Sequence, residues 1–261
     1  MFSGGVTSWA AAKRVADQYG TDDLALLFAD TLIEDEDLYR FLDEAAANVG
    51  GELIRIAEGR TPFEVFRDVR FLGNTRVDPC SRILKRDLMA AWMDANRDPA
   101  DTLIAYGFDA LEGHRMDRLT SRADDPWRRW APLLEPPYLP KARLIDWLKA
   151  EGVEPPRLYG LGFSHNNCGG GCVKAGQAAW AKLLRVMPDR YAKWEADEDA
   201  FRKDIAPAAS ILRDRRGGTT RPMPLKEFRE RTQSGVEFDK DDWGSCGCFQ
   251  VAEGVQQGVL L

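Results

Sequence analysis

Long apolar runs are missing from this sequence. The longest reach six residues, as in 24–29 (LALLFA), far shorter than the roughly 20 residues that a membrane-spanning helix requires. The first residues, MFSGG, contain no basic and then apolar leader, so no signal peptide is expected and the chain is read as cytoplasmic. Positive charge is not in excess either. A formal net charge of -6 argues against nonspecific nucleic-acid binding by the chain as a whole, although it leaves room for a local basic groove. Nor is there an even set of cysteines. The five present, in a long and apparently intracellular chain, argue against a disulfide framework. No internal repeat and no long low-complexity tract is visible.

What is there describes a globular protein. Apolar residues make up 44% and charged residues 30%, with mean hydropathy -0.40 over 261 residues. That length suits one large α/β domain with additions. Residues 24–29 read as a buried parallel strand, and 52–56 and 102–106 as further strands. Helices are expected over 35–49, 82–93, 141–150, 173–186 and 191–203. Strands alternating with helices predict a doubly wound, mostly parallel sheet, with ligands at the carboxyl ends of its strands. Asp30 and the segment 107–115 fall at such ends. Residues 1–160 are expected to form the nucleotide-binding α/β domain. Residues 161–261 are expected to add a cysteine-rich loop, helices and a C-terminal tail, and 213–221 (RDRRGGTTR) reads as a flexible basic loop.

The chemistry begins at Ser3-Gly4-Gly5-Val6-Thr7-Ser8. Two glycines let backbone approach a phosphate, and the following helix presents its positive end. Ser3 and Ser8 can add hydroxyl donors. A glycine turn followed by a serine helix cap is the plainer alternative.

The hexapeptide resembles the phosphate loop of PP-loop nucleotide-binding enzymes, and further segments in order resemble the phosphoadenylyl-sulfate (PAPS) reductase-like branch. The first is Leu27-Phe28-Ala29-Asp30-Thr31, followed by Tyr39-Arg40-Phe41. The second is Asp78-Pro79-Cys80 with Lys85 downstream, and the third is Gly113-His114-Arg115 with Arg122 seven residues on. The resemblance covers roughly residues 1–185 and implies a PP-loop topology with a cysteine-bearing C-terminal extension. It implies ATP or an adenylyl-sulfate nucleotide held by Ser3, Gly4, Gly5, Thr7, Ser8, Asp30, Gly113, Arg115 and Arg122, with Mg²⁺ if the nucleotide is ATP. Arginines at the anionic end suit bidentate guanidinium chemistry. Val6 and Thr7 stand where the family loop often carries Lys and Asp. A strand should also precede the loop, yet only Met1-Phe2 do so.

Cysteines cluster at Cys168/Cys172, inside a glycine-rich loop, and at Cys246/Cys248, while Cys80 stands alone. Glycines allow thiolates to converge on a soft metal. Phage-type and DNA-phosphorothioation-type relatives in the resembled family imply a [4Fe–4S] cluster, with Zn²⁺ as the alternative. Cys80, Cys168, Cys172 and one of Cys246 and Cys248, taken as Cys248, are the expected ligands. Cys246, on a tail partly like the family's C-terminal nucleophile motif, is the candidate nucleophile, with Lys85 and Arg115 as its catalytic companions. His165, one of only two histidines, is an alternative ligand.

The expected function is adenylation or sulfur transfer, including sulfonucleotide reduction. A DNA or tRNA thiolation component, or a non-catalytic nucleotide- or metal-binding module, are the other readings. Expected partners are the adenine nucleotide and a nucleic-acid or sulfur-carrier protein substrate. No membrane partner is expected, and an oligomer is compatible with the sequence.

Overall fold

The computed structural model describes residues 1–74, 76–121 and 125–244. The chain divides into two units. The first comprises Met1–Val69, Pro79–Leu161 and Asn166–Gly170; the second comprises Arg70–Asp78, Gly162–His165 and the chain from Gly171 onward.

The first unit opens with α1 (Val6–Tyr19), β1 (Ala25–Asp30), α2 (Glu36–Val49), β2 (Glu52–Ala57) and α3 (Pro62–Asp68). A short α4 (Pro79–Ser81) leads through a π-helical turn (Arg82–Asp87) into α5 (Leu88–Asn96). Then follow β3 (Leu103–Ala105), α6 (Gly113–Thr120), β4 (Arg128–Trp130), α7 (Lys141–Ala150) and α8 (Arg157–Gly160). The uniform helix expected over 82–93 is therefore interrupted by π geometry, in the turn that carries Lys85.

β1 and β2 pair in parallel, with Ala25 opposite Glu52 and Asp30 opposite Ala57. β3 and β4 are likewise parallel. The described strands of this unit thus form two short parallel pairs in a mixed α/β arrangement, and the doubly wound sheet expected from the sequence is not itself shown among them. Met1 and Phe2 lie between these pairs. The Phe2 N–H donates to the Leu27 carbonyl at 2.8 Å, and the Met1 nitrogen donates to the Ala105 carbonyl at 2.8 Å. These bonds seat the segment that leads into the glycine loop against β1 and β3.

Alternation along β1 separates two apolar layers. Leu26 and Phe28 pack with Trp9, Leu38, Phe41, Leu42, Leu144 and Leu148, side chains of α1, α2 and α7. Leu27 points the other way, toward Met93 and Ile104. α2 shows why its sequence folds as it does. Asp35 caps its N-terminus by accepting the Asp37 N–H, the buried residues recur at helical spacing, and Gly50 ends it in the left-handed region at φ 87°. Each fully buried Leu or Phe on this face contributes about 1.5–3 kcal/mol relative to exposure.

The second unit contains α9 (Gln177–Val186), α10 (Pro188–Asp204), β5 (Leu212–Asp214), β6 (Arg221–Met223) and α11 (Leu225–Gln233). Trp180 of α9 meets Tyr191 and Trp194 of α10 edge-on, with ring centroids 5.9 and 5.4 Å apart. Glu198, 1% exposed, accepts the Ile211 N–H at 2.7 Å and the Leu225 N–H at 2.5 Å, tying α10 to β5 and α11. The stretch expected as a flexible basic loop, 213–221, is the connection of an antiparallel hairpin: its ends lie in β5 and β6, and 215–220 join them. Asp214 accepts from Arg216, Arg221 and Arg231, so several of its basic side chains are held by internal charge pairs. α9 starts four residues later than expected. Asp242 supplies a carboxylate to the Gln177 N–H at 3.2 Å, which sets the helix start there.

Candidate functional site

The glycine loop lies at the head of α1. Gly4 adopts φ +71°, a conformation open to glycine at little cost, and a Cβ there would lie 3.1 Å from the Leu38 side chain. Gly5 precedes the first helical residue, Val6. The N–H groups of a first helical turn have no acceptor inside the helix, so this end attracts anions. Within the loop, Ser8 is buried. Its hydroxyl donates to the Gly5 carbonyl at 2.7 Å and accepts the Gly5 N–H at 3.2 Å. The hydroxyl proton of Ser8 is therefore engaged inside the loop, whereas Ser3 is exposed and Thr7 half-exposed.

Three neighbours shape this loop. The Tyr159 hydroxyl accepts the Val6 N–H at 3.2 Å. Gly107 abuts the start of α1 so closely that a Cβ there would lie 2.7 Å from Ser8 Cα and 2.8 Å from Ser8 N. Asn166, 1% exposed, donates through Nδ2 to the Gly4 carbonyl at 2.8 Å. Its Oδ1 is buried and finds no hydrogen-bond partner among the described residues.

Asp30, at the end of β1, accepts the Tyr39 hydroxyl at 3.0 Å and the Leu32 N–H at 2.8 Å. Burial, with the Asp30 carboxylate adding to it, pushes the Tyr39 phenol well above its ordinary range. Leu32 itself has φ 60° and is exposed. Beyond it, the buried Glu34 accepts the Thr31 hydroxyl at 2.8 Å and the Cys168 N–H, and Lys85 Nζ stands 3.6 Å from its carboxylate. Asp35 is fully buried and pairs with Arg157 at 2.7 Å.

Arg115, on α6, pairs with Glu112 and lies over the Phe108 ring, 4.4 Å from its centroid. Phe108 directly follows Gly107. Two consecutive residues therefore connect the wall of the glycine loop with the platform under Arg115. Gly113 begins α6, and His114 is exposed.

Cys80 and Cys168 belong to the first unit and Cys172 to the second; all are half-buried and outside any disulfide. Cys168 has φ 53°, uncommon for a residue with a Cβ, and Gly169 and Gly170 continue in the left-handed region. Cys172 Sγ accepts the Lys174 N–H at 3.4 Å. Among the described residues, no group of three or more His, Cys, Asp or Glu side chains is arranged to hold a metal ion. Arg122, Cys246 and Cys248 lie outside the described residues.

The structure therefore gathers Ser3–Ser8 with Gly107, which opens the segment expected at a strand end, and with two residues that motif reading passed over, Tyr159 and Asn166. It joins Lys85 to a third, Glu34. Asn166 and Glu34 each lie within a few residues of a recognised motif, which was their sole signal in the sequence.

No family model matches the sequence, and no curated protein matches it. Among solved structures, the chain is similar to phosphoadenylyl-sulfate (PAPS) reductase from Candida auris in its phosphate complex. The TM-score is 0.44 at 14% identity, and the match covers 62% of this chain and 77% of that one. No helix among the described residues is long and apolar enough to cross a membrane.

Proposed function

We propose that the first unit binds the phosphates of an adenine nucleotide at Ser3–Ser8 and that the chain is a PP-loop, PAPS reductase-like enzyme of adenylation or sulfur transfer. The observation that carries this reading is the loop itself. A left-handed Gly4 turns the backbone at the open end of α1, and Gly107 closes against Thr7 and Ser8 with no room for a side chain. Backbone N–H groups at a helix start are preorganised donors. They stabilise phosphate charge without reorganising when the ligand arrives. In this reading the short parallel pairs are the described part of a doubly wound sheet, with the ligand at their carboxyl ends.

The residues then take definite roles. Loop N–H groups, with the Ser3 and Thr7 hydroxyls, hold a pyrophosphate or sulfate end. A phosphate oxygen takes the Val6 N–H over from the Tyr159 hydroxyl. Arg115 covers the anionic end from its Phe108 platform, and Lys85 adds charge from the Glu34 side. Asp30, fixed by Tyr39, marks the adenosine side. Catalysis by these groups is positioning and charge neutralisation. Internal pairing of Arg216 and Arg221 gives the nucleic-acid reading no specific support.

Calorimetric titration with ATP, adenosine 3′,5′-bisphosphate and inorganic pyrophosphate tests the proposal, on wild type and Gly4→Val. Saturable binding by wild type that is lost in Gly4→Val is the expected result. Equal affinity in both, or no binding by wild type, overturns it.

A further inference from the structure

Residues 166–170 belong to the first unit, while the residues on both sides of them belong to the second. Hydrogen bonds fasten this piece at Asn166 and at Cys168. Asn166 Nδ2 donates to the Gly4 carbonyl at 2.8 Å, and the Cys168 N–H donates to the carboxylate of Glu34. Residues two apart in a chain are separated by at most about 7 Å between Cα atoms. One tripeptide therefore bridges the glycine loop and the Glu34–Lys85 pair.

The same tripeptide carries two local costs. Cys168 is held at φ 53°, where a Cβ is disfavoured. Asn166 Oδ1 is a buried acceptor with no donor among the described residues. An unsatisfied buried acceptor costs about 1–3 kcal/mol. Costs of this kind persist only where the surroundings over-determine the geometry. Here the surroundings are the loop carbonyl at one end and Glu34 at the other.

We propose that Asn166 and Glu34 are positioning residues that couple anion occupancy of the glycine loop to the accessibility of the Cys168 thiol. The inference rests on the proposal that the loop binds phosphate. An anion bound through loop N–H groups orders Gly4, and Gly4 holds Asn166. A half-buried thiol is alkylated chiefly from locally opened states, so ordering the loop slows the reaction. Glu34 holds the other end of the tripeptide while it faces Lys85, so the charge that meets the anion and the cysteine backbone share one carboxylate.

The test uses the full chain and inorganic pyrophosphate. Calorimetry first establishes whether pyrophosphate binds. The alkylation rates of Cys168 and Cys80 by iodoacetamide are then measured by peptide mass spectrometry, with and without saturating pyrophosphate. Slowing of Cys168 by about fivefold or more, the scale of ordinary coupling between sites, is expected in wild type. In Asn166→Ala and Glu34→Ala the Cys168 rate should become largely insensitive to pyrophosphate, measured at concentrations that calorimetry shows to saturate each variant. Asn166→Gln, which keeps the amide donor, should retain part of the response, an outcome that a merely structural role does not predict. Wild type that binds pyrophosphate with an unchanged Cys168 rate overturns the coupling and leaves the phosphate site standing. Wild type that does not bind pyrophosphate overturns both. Equal slowing of Cys168 and Cys80 also overturns the coupling, because it reports general stabilisation. The wild-type arm decides the question even if a variant fails to fold.

Discussion

Gly107→Ala should damage the phosphate site through a single methyl group. An ideal Cβ at this position lies 2.7 Å from Ser8 Cα, 2.8 Å from Ser8 N and 3.0 Å from Thr7 C. Carbon atoms in contact rest about 3.5–4.0 Å apart, so the methyl overlaps its neighbours by roughly 0.5–1.3 Å. All of those neighbours are backbone, and no flexible side-chain end can swing away. Either the first turn of α1 or the segment after β3 must move. Overpacking of this sort costs about 1–3 kcal/mol, and for a protein of this size each kcal/mol lowers Tm by about 2–4 °C. A misplacement near 1 Å is also enough to impair positioned donors by orders of magnitude in function. Gly107→Ala should therefore lower Tm by about 2–12 °C and weaken pyrophosphate binding at least about tenfold. Scanning calorimetry and isothermal titration supply the measurements. Gly160→Ala is the control, because a Cβ there meets nothing within 4 Å. Wild-type Tm and affinity in Gly107→Ala would refute the close approach and the loop geometry built on it.

Tyr159→Phe removes the hydroxyl that occupies the Val6 N–H. Pyrophosphate affinity should rise by about 2–12-fold, the worth of one hydrogen bond, whereas weaker binding would show that the hydroxyl contacts the anion instead. Arg115→Ala should reduce turnover or anion affinity, and Arg115→Lys should restore little of it, because an ammonium lacks the guanidinium fork and its stacking on Phe108; full rescue by lysine contradicts that role. Burial raises Glu198 to about 7 against the opposing pull of the Ile211 and Leu225 N–H groups. The folded state then holds a proton that the unfolded state releases above its ordinary value of 4.5, so unfolding free energy falls as pH rises from about 4.5 through about 7. The full difference amounts to about 3 kcal/mol, measurable by urea denaturation at pH 5 and pH 8. Glu198→Gln should flatten that slope, and an unchanged slope assigns the pH dependence elsewhere. Asp214→Ala should cost about 1–2 kcal/mol by leaving Arg216, Arg221 and Arg231 without their shared acceptor, discounted for their partial exposure. A loss below about 0.3 kcal/mol in the same denaturation assay would mean the charge cluster contributes nothing to the hairpin.

Local rules decided much of this protein in advance. Residues 24–29 are apolar throughout because β1 is buried on both faces, and α2 shows its caps, its apolar stripe and its terminal glycine in the chain itself. The glycine loop was legible for the same reason: left-handed backbone at a helix start favours glycine whatever surrounds it. What lies far apart in sequence was decided only by tertiary structure. Periodicity cannot show that Gly107 seats against Ser8, that Tyr159 reaches Val6, or that Asn166 fastens to Gly4 across 162 residues. Glu34 reads as one more acid in the run IEDED, and its role comes from the lysine and the cysteine backbone that folding brings to it. Residues 213–221 read locally as a basic loop, and that they close the hairpin of β5 and β6 comes from Asp214, Glu198 and Arg231, side chains whose pairing depends on where α10 and α11 place them. Motifs are set by local conformation, which adjacent residues determine. Partners are set by chain reversal and packing, and those depend on the whole sequence at once.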